Sequence, residues 1–225
     1  MKRSMALAFC LALGGFVLSG CSGSSDPFVQ KEYTADILQI EKINVDVRDR
    51  KIEVSILEDA QIHIICFESS KEAYDITVSD ERVLAMTSAG HKEWTDYVGT
   101  KPSAENRKIS LQIPDALLNT LTLSTTNEDI SLPALAVTGS ISLSSNGGSI
   151  AFGSLKIGNA LTLSVKNGDI SGRIAESCDE FAIQTKIKKG ESNLPASKNG
   201  REKILNVSSN NGDVRIEFAN ESLCF

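Results

Sequence analysis

The sequence predicts an all-β fold: a right-handed parallel β-solenoid with rungs of about 20–22 residues and an irregular N-terminal β part. One short pattern returns five times between residues 119 and 218, and apolar and polar residues alternate within each copy. The three clearest copies begin at Thr120, Ser140 and Ala160, and two weaker ones begin at Phe181 and Lys203. A fixed period of this size is typical of a solenoid, because each unit buries its apolar side only against a neighbour.

Each copy of the repeat contains two short strands joined by a polar corner. Period-two alternation is the pattern of a half-buried strand. The inward columns are Leu121, Ile141, Leu161, Ile183 and Leu205; Leu123, Leu143, Leu163, Thr185 and Val207; and, after the corner, Ile130, Ile150, Ile170, Ser192 and Val214. Asn-Gly pairs at the corner, such as Asn167-Gly168 and Asn211-Gly212, tolerate the left-handed backbone region. The corner therefore turns the chain at the same place in every rung.

A β-hairpin is the alternative interpretation of the same corners. Asn-Gly between alternating strands is also a strong signal for a tight antiparallel turn. However, equivalent columns recur with the same inward parity, which favours parallel stacking of rung on rung in chain order. Right-handed crossovers between parallel strands are the strong default, and they give the predicted hand.

Residues 1–20 have the pattern of a lipoprotein signal peptide. Lys2 and Arg3 precede an apolar run that closes on Leu18-Ser19-Gly20-Cys21, which resembles the bacterial lipobox. We therefore expect lipidation of Cys21, a flexible tether over 21–35, and a single β-solenoid domain over 36–225. The mature protein would be exported and anchored to a bacterial membrane, facing outward from the cytoplasm. An ordinary cleavable signal with an unrelated cysteine is the alternative.

The charge of the mature chain argues against a nucleic-acid partner. Removing residues 1–20 takes away two basic residues and no acidic one, so 21 Lys plus Arg remain against 29 Asp plus Glu, a net charge of −8. Binding to nucleic acid would need a clustered basic surface. The low aromatic content of 5% suits a narrow interior filled by stacked aliphatic side chains.

Three cysteines remain once Cys10 leaves with the signal and Cys21 takes lipid. They are Cys66, Cys178 and Cys224, an odd number for an exported protein. If rungs stack in chain order, the last two lie about two rungs, or roughly 10 Å, apart. That separation exceeds the reach of a disulfide. The expectation is therefore three reduced or buried thiols.

The N-terminal half is strand-rich but less regular than the repeats. Short alternating segments between residues 36 and 88 are expected to continue the core as a wider part of the rod. The longest stretch without alternation runs from residue 88 to 106 and contains Trp94 and Tyr97. Aromatic side chains of this kind dominate binding hot spots, so these two are the candidate partner-binding residues. Capping of the apolar end of the rod by Trp94 is the alternative.

The corner acids are the candidates for chemistry. Asp129, Asp169, Glu191 and Asp213 form a column, and a polysaccharide-active β-helix enzyme would group acids on one side in this way. The commoner reason for Asp after Gly is that its carboxylate accepts backbone N–H bonds at a turn. The Asn column is likewise expected to form a hydrogen-bonded ladder. We therefore predict a non-enzyme with no catalytic residue, cofactor or metal site.

The two histidines do not change that prediction. Neither lies in a metal-ligand spacing, and no nucleophile elbow, phosphate loop or CxxC pair is present. His63 alternates with Ile62 and Ile64, so it is expected to point outward as a solvated side chain. His91 lies in the loop with Trp94 and Tyr97.

The residues together carry a family resemblance. Opening strands of the IEVSI type, the segment SLQIPDALLNTLTLSTTNEDI and the repeated NGDI and NGDV corners resemble the bacterial domain of unknown function DUF4097, roughly over residues 42–218. The resemblance implies an all-β coil displayed on the cell envelope as a proposed adhesin, with no catalytic residues to transfer. Similar proteins in some Gram-positive bacteria are linked to envelope-stress sensing.

Two classes of function therefore compete. The first is a non-enzymatic adhesin-like or scaffold module that contacts an envelope protein or polysaccharide, and the second is a polysaccharide lyase or hydrolase. The first is favoured because the outward sides of the strands carry hydroxyls and amides. These residues are Thr122, Ser124, Ser142, Ser144, Thr162, Ser164 and Asn206.

Overall fold

The protein is an all-β coil of mostly parallel strands. A computed structural model describes residues 27–90, 101–115 and 118–219. Within these ranges the strands are β1 (Val29–Asp36), β2 (Lys42–Asp46), β3 (Lys51–Leu57), β4 (Gln61–Glu68), β5 (Tyr74–Val78), β6 (Val83–Ser88), β7 (Lys108–Pro114), β8 (Leu118–Thr125), β9 (Ile130–Leu132), β10 (Leu135–Ser145), β11 (Ile150–Ile157), β12 (Ala160–Asn167), β13 (Ile170–Ile174), β14 (Phe181–Lys189), β15 (Ser197–Lys198), β16 (Lys203–Asn211) and β17 (Val214–Phe218). Short 3-10 turns cover Ile37–Gln39, Glu105–Arg107 and Cys178–Glu180.

Parallel strands stack along two main sides of the coil. On the first side the spatial order is β6, β2, β8, β10, β12, β16 and β14. On the second side it is β7, β3, β9, β11, β13 and β17. Five strands of the first side, β2, β8, β10, β12 and β16, are each joined through a corner to the next strand on the second side, and each such pair forms a rung. β6 and β7 form a further rung across the longer segment between Ser88 and Lys108, whereas β14 has no full partner strand on the second side. The right hand of the coil stays a prediction.

The inward columns of the first three copies are confirmed. Ile141 is aligned with Leu121 on one neighbour and with Leu161 on the other, each 20 residues away. All three side chains are buried, at 1% exposure or less. Such pairing of equivalent residues in parallel strands rules out the hairpin interpretation for these copies, because a hairpin would pair them antiparallel.

Stacking in chain order is wrong for the last two copies. Leu161 is aligned with Leu205 of the fifth copy, and Leu205 is in turn aligned with Ile183 of the fourth. The fifth copy therefore lies between the third and the fourth. A rung inside the stack needs a full strand on each side of the coil, because both strands have neighbours above and below. The fifth copy meets this need with the complete strands β16 and β17. In the fourth copy the second strand is reduced to a single bridge from Ser192 to Val214, so this copy suits the end of the stack.

The N-terminal end of the rod has the same inverted order. Strand β2 lies between β6 and β8, and β3 lies between β7 and β9. The first rung in the chain is therefore interior, and the β6–β7 rung lies outside it. The N-terminal β part thus continues the core of the repeats, as the alternation predicts.

Antiparallel strands cover the outer rungs at both ends. Strand β5 pairs with β6, β4 pairs with β7, and β1 pairs with β4 over its whole length. At the other end β15 covers part of β14. Seven residues of β1, 29–35, fall within the stretch expected to be tether, so the ordered β structure begins earlier than the domain boundary at residue 36. Covering the outer strands reduces the unpaired edge available for association.

The expectation of three reduced thiols is wrong for Cys178. Cys66 is free and buried, whereas Cys178 is disulfide-bonded to a cysteine outside the described residues. The distance argument against such a bond assumed stacking in chain order. In the structure Ile170 and Val214, 44 residues apart, are aligned in adjacent strands, and the Ala219 amide donates to the Glu176 carbonyl. Ala219, the last described residue, therefore lies beside the segment that carries Cys178.

The interior is filled by the aliphatic columns, with aromatic rings at a few places such as Phe181 and Phe218, whose centroids are 5.9 Å apart.

No helix in the described part of the chain is long and apolar enough to cross a lipid bilayer.

The inverted stacking order gives a direct test with engineered cysteines. Thr162→Cys with Asn206→Cys places thiols on adjacent strands about 5 Å apart, within reach of a disulfide. Thr162→Cys with Gln184→Cys places them two strands apart, at about 10 Å, beyond that reach. We expect oxidation to cross-link the first pair alone, measured as a mass loss of two hydrogen atoms in the intact protein. Cross-linking of the second pair alone would restore the chain order.

Candidate functional site

The corner acids form a ladder of hydrogen bonds that runs from rung to rung. The Asp129 carboxylate accepts the Ser149 amide at 2.8 Å, and the Ser149 hydroxyl accepts the Asp169 amide at 3.1 Å. The Asp169 carboxylate accepts the Asp213 amide at 2.8 Å, and the Asp213 carboxylate accepts the Glu191 amide at 2.9 Å. We name these five residues the corner ladder. Its order matches the inverted stacking, and its carboxylates hold backbone amides rather than converging on a ligand.

Glycine beside the corner ladder allows the rungs to approach closely. Gly212 has a φ of +139°, and a Cβ added there would lie 2.0 Å from the Gly168 carbonyl oxygen. The positive φ and the short distance to the Gly168 carbonyl both exclude a residue larger than glycine at position 212. The Asn column forms only part of the expected ladder. The side-chain amide of Asn211 donates to the side-chain oxygen of Asn167 at 2.7 Å, whereas the side-chain amide of Asn127 donates to the Asp49 carboxylate of the neighbouring rung.

His63 points outward from β4, as predicted, but it is not a solvated side chain. Its Nδ1 lies 2.8 Å from Glu32 of β1, its Nε2 lies 3.1 Å from Asp59, and the side chain is only 16% exposed. The hydrogen bond to the Glu32 carboxylate raises the pKa of His63, and Asp59 acts in the same direction. Through these two contacts the ring joins β1 to the β3–β4 turn. The sequence could not indicate this contact, because Glu32 is 31 residues away.

A small cavity of about 190 Å³ lies beside Gly90, the last described residue before the loop of Trp94 and Tyr97. Arg50, 3% exposed, lies in its wall and donates to the Tyr74 hydroxyl at 2.5 Å. The same guanidinium forms a salt bridge with Glu72 and donates to the Asp49 carbonyl. Because these partners engage the charge of Arg50, the cavity wall is held by a structural ion pair.

Cys66 lies near this cluster and is not a candidate nucleophile. Burial raises the pKa of the Cys66 thiol to about 12. The thiolate is the nucleophilic form, so this thiol is unreactive near neutral pH.

The predicted site residues Cys21, Trp94 and Tyr97 lie outside the described residues, as does His91. Within residues 27–90, 101–115 and 118–219, no group of three or more His, Cys, Asp or Glu side chains could hold a metal ion. The structure therefore brings the candidate acids into a ladder and leaves the aromatic pair as a prediction from the sequence.

Three successive outward positions on each of four central strands form a surface of twelve uncharged residues. We name it the polar face. Its residues are Thr120, Thr122 and Ser124 of β8; Ser140, Ser142 and Ser144 of β10; Ala160, Thr162 and Ser164 of β12; and Ile204, Asn206 and Ser208 of β16. Equivalent residues repeat at the spacing of neighbouring strands, about 4.8 Å. The sequence predicted seven of the twelve positions correctly as outward-facing hydroxyls or amides.

Comparison with known proteins places the chain beside proposed adhesins. The family model described as Toastrack DUF4097 matches residues 40–223. A solved structure of a proposed cell adhesion protein from Clostridium sporogenes is 12% identical, covers 84% of this chain and 99% of its own, and superposes with a TM-score of 0.56. A proposed adhesin from Bacteroides fragilis is 14% identical, covers 86% and 98%, and has a TM-score of 0.36. Among curated proteins, none matches the sequence.

The corner ladder predicts a specific loss of stability. Asp169→Ala removes the acceptor of the Asp213 amide, and we expect it to lower the free energy of unfolding by about 1–2 kcal/mol. Asp169→Asn keeps a side-chain oxygen and should cost less. Urea denaturation measures both, with Ser171→Ala on the outward side of β13 as the control. An Asn variant as unstable as the Ala variant would contradict the hydrogen-bond explanation.

The His63 contacts predict a pH-dependent contribution to stability. Because the folded pKa is raised, the contribution is complete below the unfolded value of about 6.5 and is lost as pH rises through the folded pKa. We expect the difference in unfolding free energy between wild type and His63→Gln to shrink from pH 6 to pH 9 in urea titrations. The groups that face the ring are Glu32, Asp59 and the uncharged Gln112 of β7. A difference that grows with pH would show that the histidine acts in its neutral form.

Proposed function

Because the chain belongs to the Toastrack DUF4097 family, we propose that it is a non-enzymatic, adhesin-like interaction module of the bacterial cell envelope, held at a membrane by lipid on Cys21. The observation that carries this proposal is the polar face, a flat array of hydroxyl and amide groups across four parallel strands. A partner would contact such a surface through many weak polar bonds. Trp94 and Tyr97 are the proposed aromatic anchor of that contact.

The enzyme alternative is less well supported. A polysaccharide lyase or hydrolase would need free acids on one side of the coil, and the best-placed ones, Asp169 and Asp213, accept backbone amides of neighbouring rungs. Glycoside hydrolysis, for example, uses a pair of carboxyl groups that flank the scissile bond. A carboxylate committed to the backbone is poorly placed for that role.

The resemblance extends the proposal to envelope-stress sensing. In that role, occupancy of the polar face would report on the state of the envelope. This part of the proposal depends on the module first binding an envelope component.

Lipid attachment is tested by metabolic labelling. We expect radiolabelled palmitate to enter the wild-type chain and not the Cys21→Ser variant, because the thiol of Cys21 is the proposed acceptor. Label that persists in the variant would place the lipid elsewhere or show that the signal is of the ordinary cleavable kind.

The interaction module is tested by capture from envelope material with the chain from Ser22 onward, which contains every described strand. We expect Trp94→Ala and Ser142→Glu to reduce capture, because they alter the proposed anchor and the centre of the polar face. Ser171→Glu, on the second side of the coil, is the matched control. Release of reducing or unsaturated sugar ends that disappears in Asp169→Asn with Asp213→Asn would instead support the enzyme.

A further inference from the structure

The polar face is unusual because it lacks charge in a chain that is rich in charge. Charged residues make up 23% of the sequence, yet none of the twelve residues of the polar face is charged. The nearest outward charges lie just beyond these positions: Lys166 follows Ser164 at the end of β12. The flanking strands carry Lys42 and Asp46 on β2 and Lys186 and Lys188 on β14. The outward side of the second stack is different: Lys51 and Lys108 there both pair with Glu53.

This distribution selects against charged partners. A polyanion laid across the twelve positions of the polar face would meet no cation among them, and the net charge of −8 on the mature chain would repel it. Lys166 lies one outward position beyond Ser164, and Lys203 of β16 is paired with Glu176 and Glu180. A basic partner would likewise find no carboxylate on these four strands. Electrostatic complementarity therefore favours a partner without charge.

The groups that the face does present are suited to hydroxyl-rich molecules. Within the described part of the chain, the hydroxyls of Thr122, Ser142 and Thr162 form no hydrogen bond to protein atoms, and each can donate and accept. Ser208 and Ser164 form the one hydroxyl pair of the face, at 3.0 Å. One edge is apolar, with Ala160 beside Ile204, whose exposure is 47%. This combination matches a sugar ring, which has hydroxyls at its rim and C–H groups on its faces.

The repeat of the face suits a polymer rather than a small molecule. Equivalent groups recur from strand to strand at about 4.8 Å, and their small side chains leave the surface flat and without a pocket. A small ligand on a flat surface would bury little of its own area. A polymer can contact several rungs at once, and many modules on one membrane would add avidity.

We propose that the polar face binds an extended, uncharged polysaccharide laid across β8, β10, β12 and β16. The proposal rests on the proposed function and names its partner class. Binding depends on hydrogen bonds and on apolar contact at Ala160 and Ile204, so it does not require ions and is insensitive to salt.

The test is co-sedimentation of the chain from Ser22 onward with particles of cellulose, chitin and β-1,3-glucan, and with polygalacturonate beads as the anionic polymer. We expect retention on at least one neutral polymer, with less than a twofold change in Kd between 50 and 500 mM NaCl. Ser142→Glu should weaken retention at least tenfold, whereas Ser171→Glu should leave it unchanged. Melting temperatures of the two variants establish that both are folded.

Several outcomes would overturn the proposal. These are no retention on any of the three neutral polymers, retention on polygalacturonate alone, retention that salt removes, or equal weakening by both Glu variants. If Ser142→Glu still reduces capture from envelope material while no neutral polymer is retained, the interaction module stands and the polysaccharide partner fails. If neither experiment responds to Ser142→Glu, both fail.

Discussion

The structure depends on the contact that fixes one rung against the next at the corner. The side chains of four members of the corner ladder each accept the backbone amide of the member in the neighbouring rung, and the last of these amides belongs to Glu191. The four are Asp129, Ser149, Asp169 and Asp213. A slip of one residue would turn every inward side chain toward solvent, so register carries a large part of the stability of any sheet buried on one face. In a solenoid the same register must be set at every rung, and a hydrogen bond repeated at a fixed place achieves this. The buried columns of Leu121, Ile141 and Leu161 align as a consequence.

At both ends of the stack the rungs depart from chain order, and this places incomplete or irregular rungs at the outside. Interior rungs need two complete strands, and the first and last rungs in the chain, β2–β3 and β16–β17, meet that need. The β6–β7 rung and β14 lie at the two ends of the stack. Antiparallel strands pair with them there: β5 with β6, β4 with β7, and β15 with β14. This arrangement pairs β12 with β16 across a sequence separation of 44 residues, as at Leu161 and Leu205. Contacts of this kind are distant in sequence and form slowly.

Local features of the structure could be predicted from the sequence, and long-range order could not. Alternation identifies Ile141 and Leu163 as inward and Thr162 as outward, because a strand places successive side chains on opposite faces. The same regularity makes the copies interchangeable: Leu205 and Ile183 are equally suitable neighbours for Leu161. The feature that distinguishes the two copies is weak in the sequence. The fourth copy has only a single bridge, from Ser192 to Val214, in place of a second strand. The wrong prediction of a reduced Cys178 follows from placing the fourth copy, rather than the fifth, next to the third.

The same regularity favours the proposed binding surface over a catalytic centre. Catalysis needs different groups that converge on one point, whereas a solenoid repeats similar groups along a line. In this chain the repeated acids are used to hold register, and the repeated hydroxyls of the polar face remain available. Groups that break the repeat, such as Arg50 with Tyr74 and Glu72, lie at the N-terminal end and hold one another in ion pairs and hydrogen bonds. The proposed recognition by this fold would therefore be matched to partners that repeat as the rungs do.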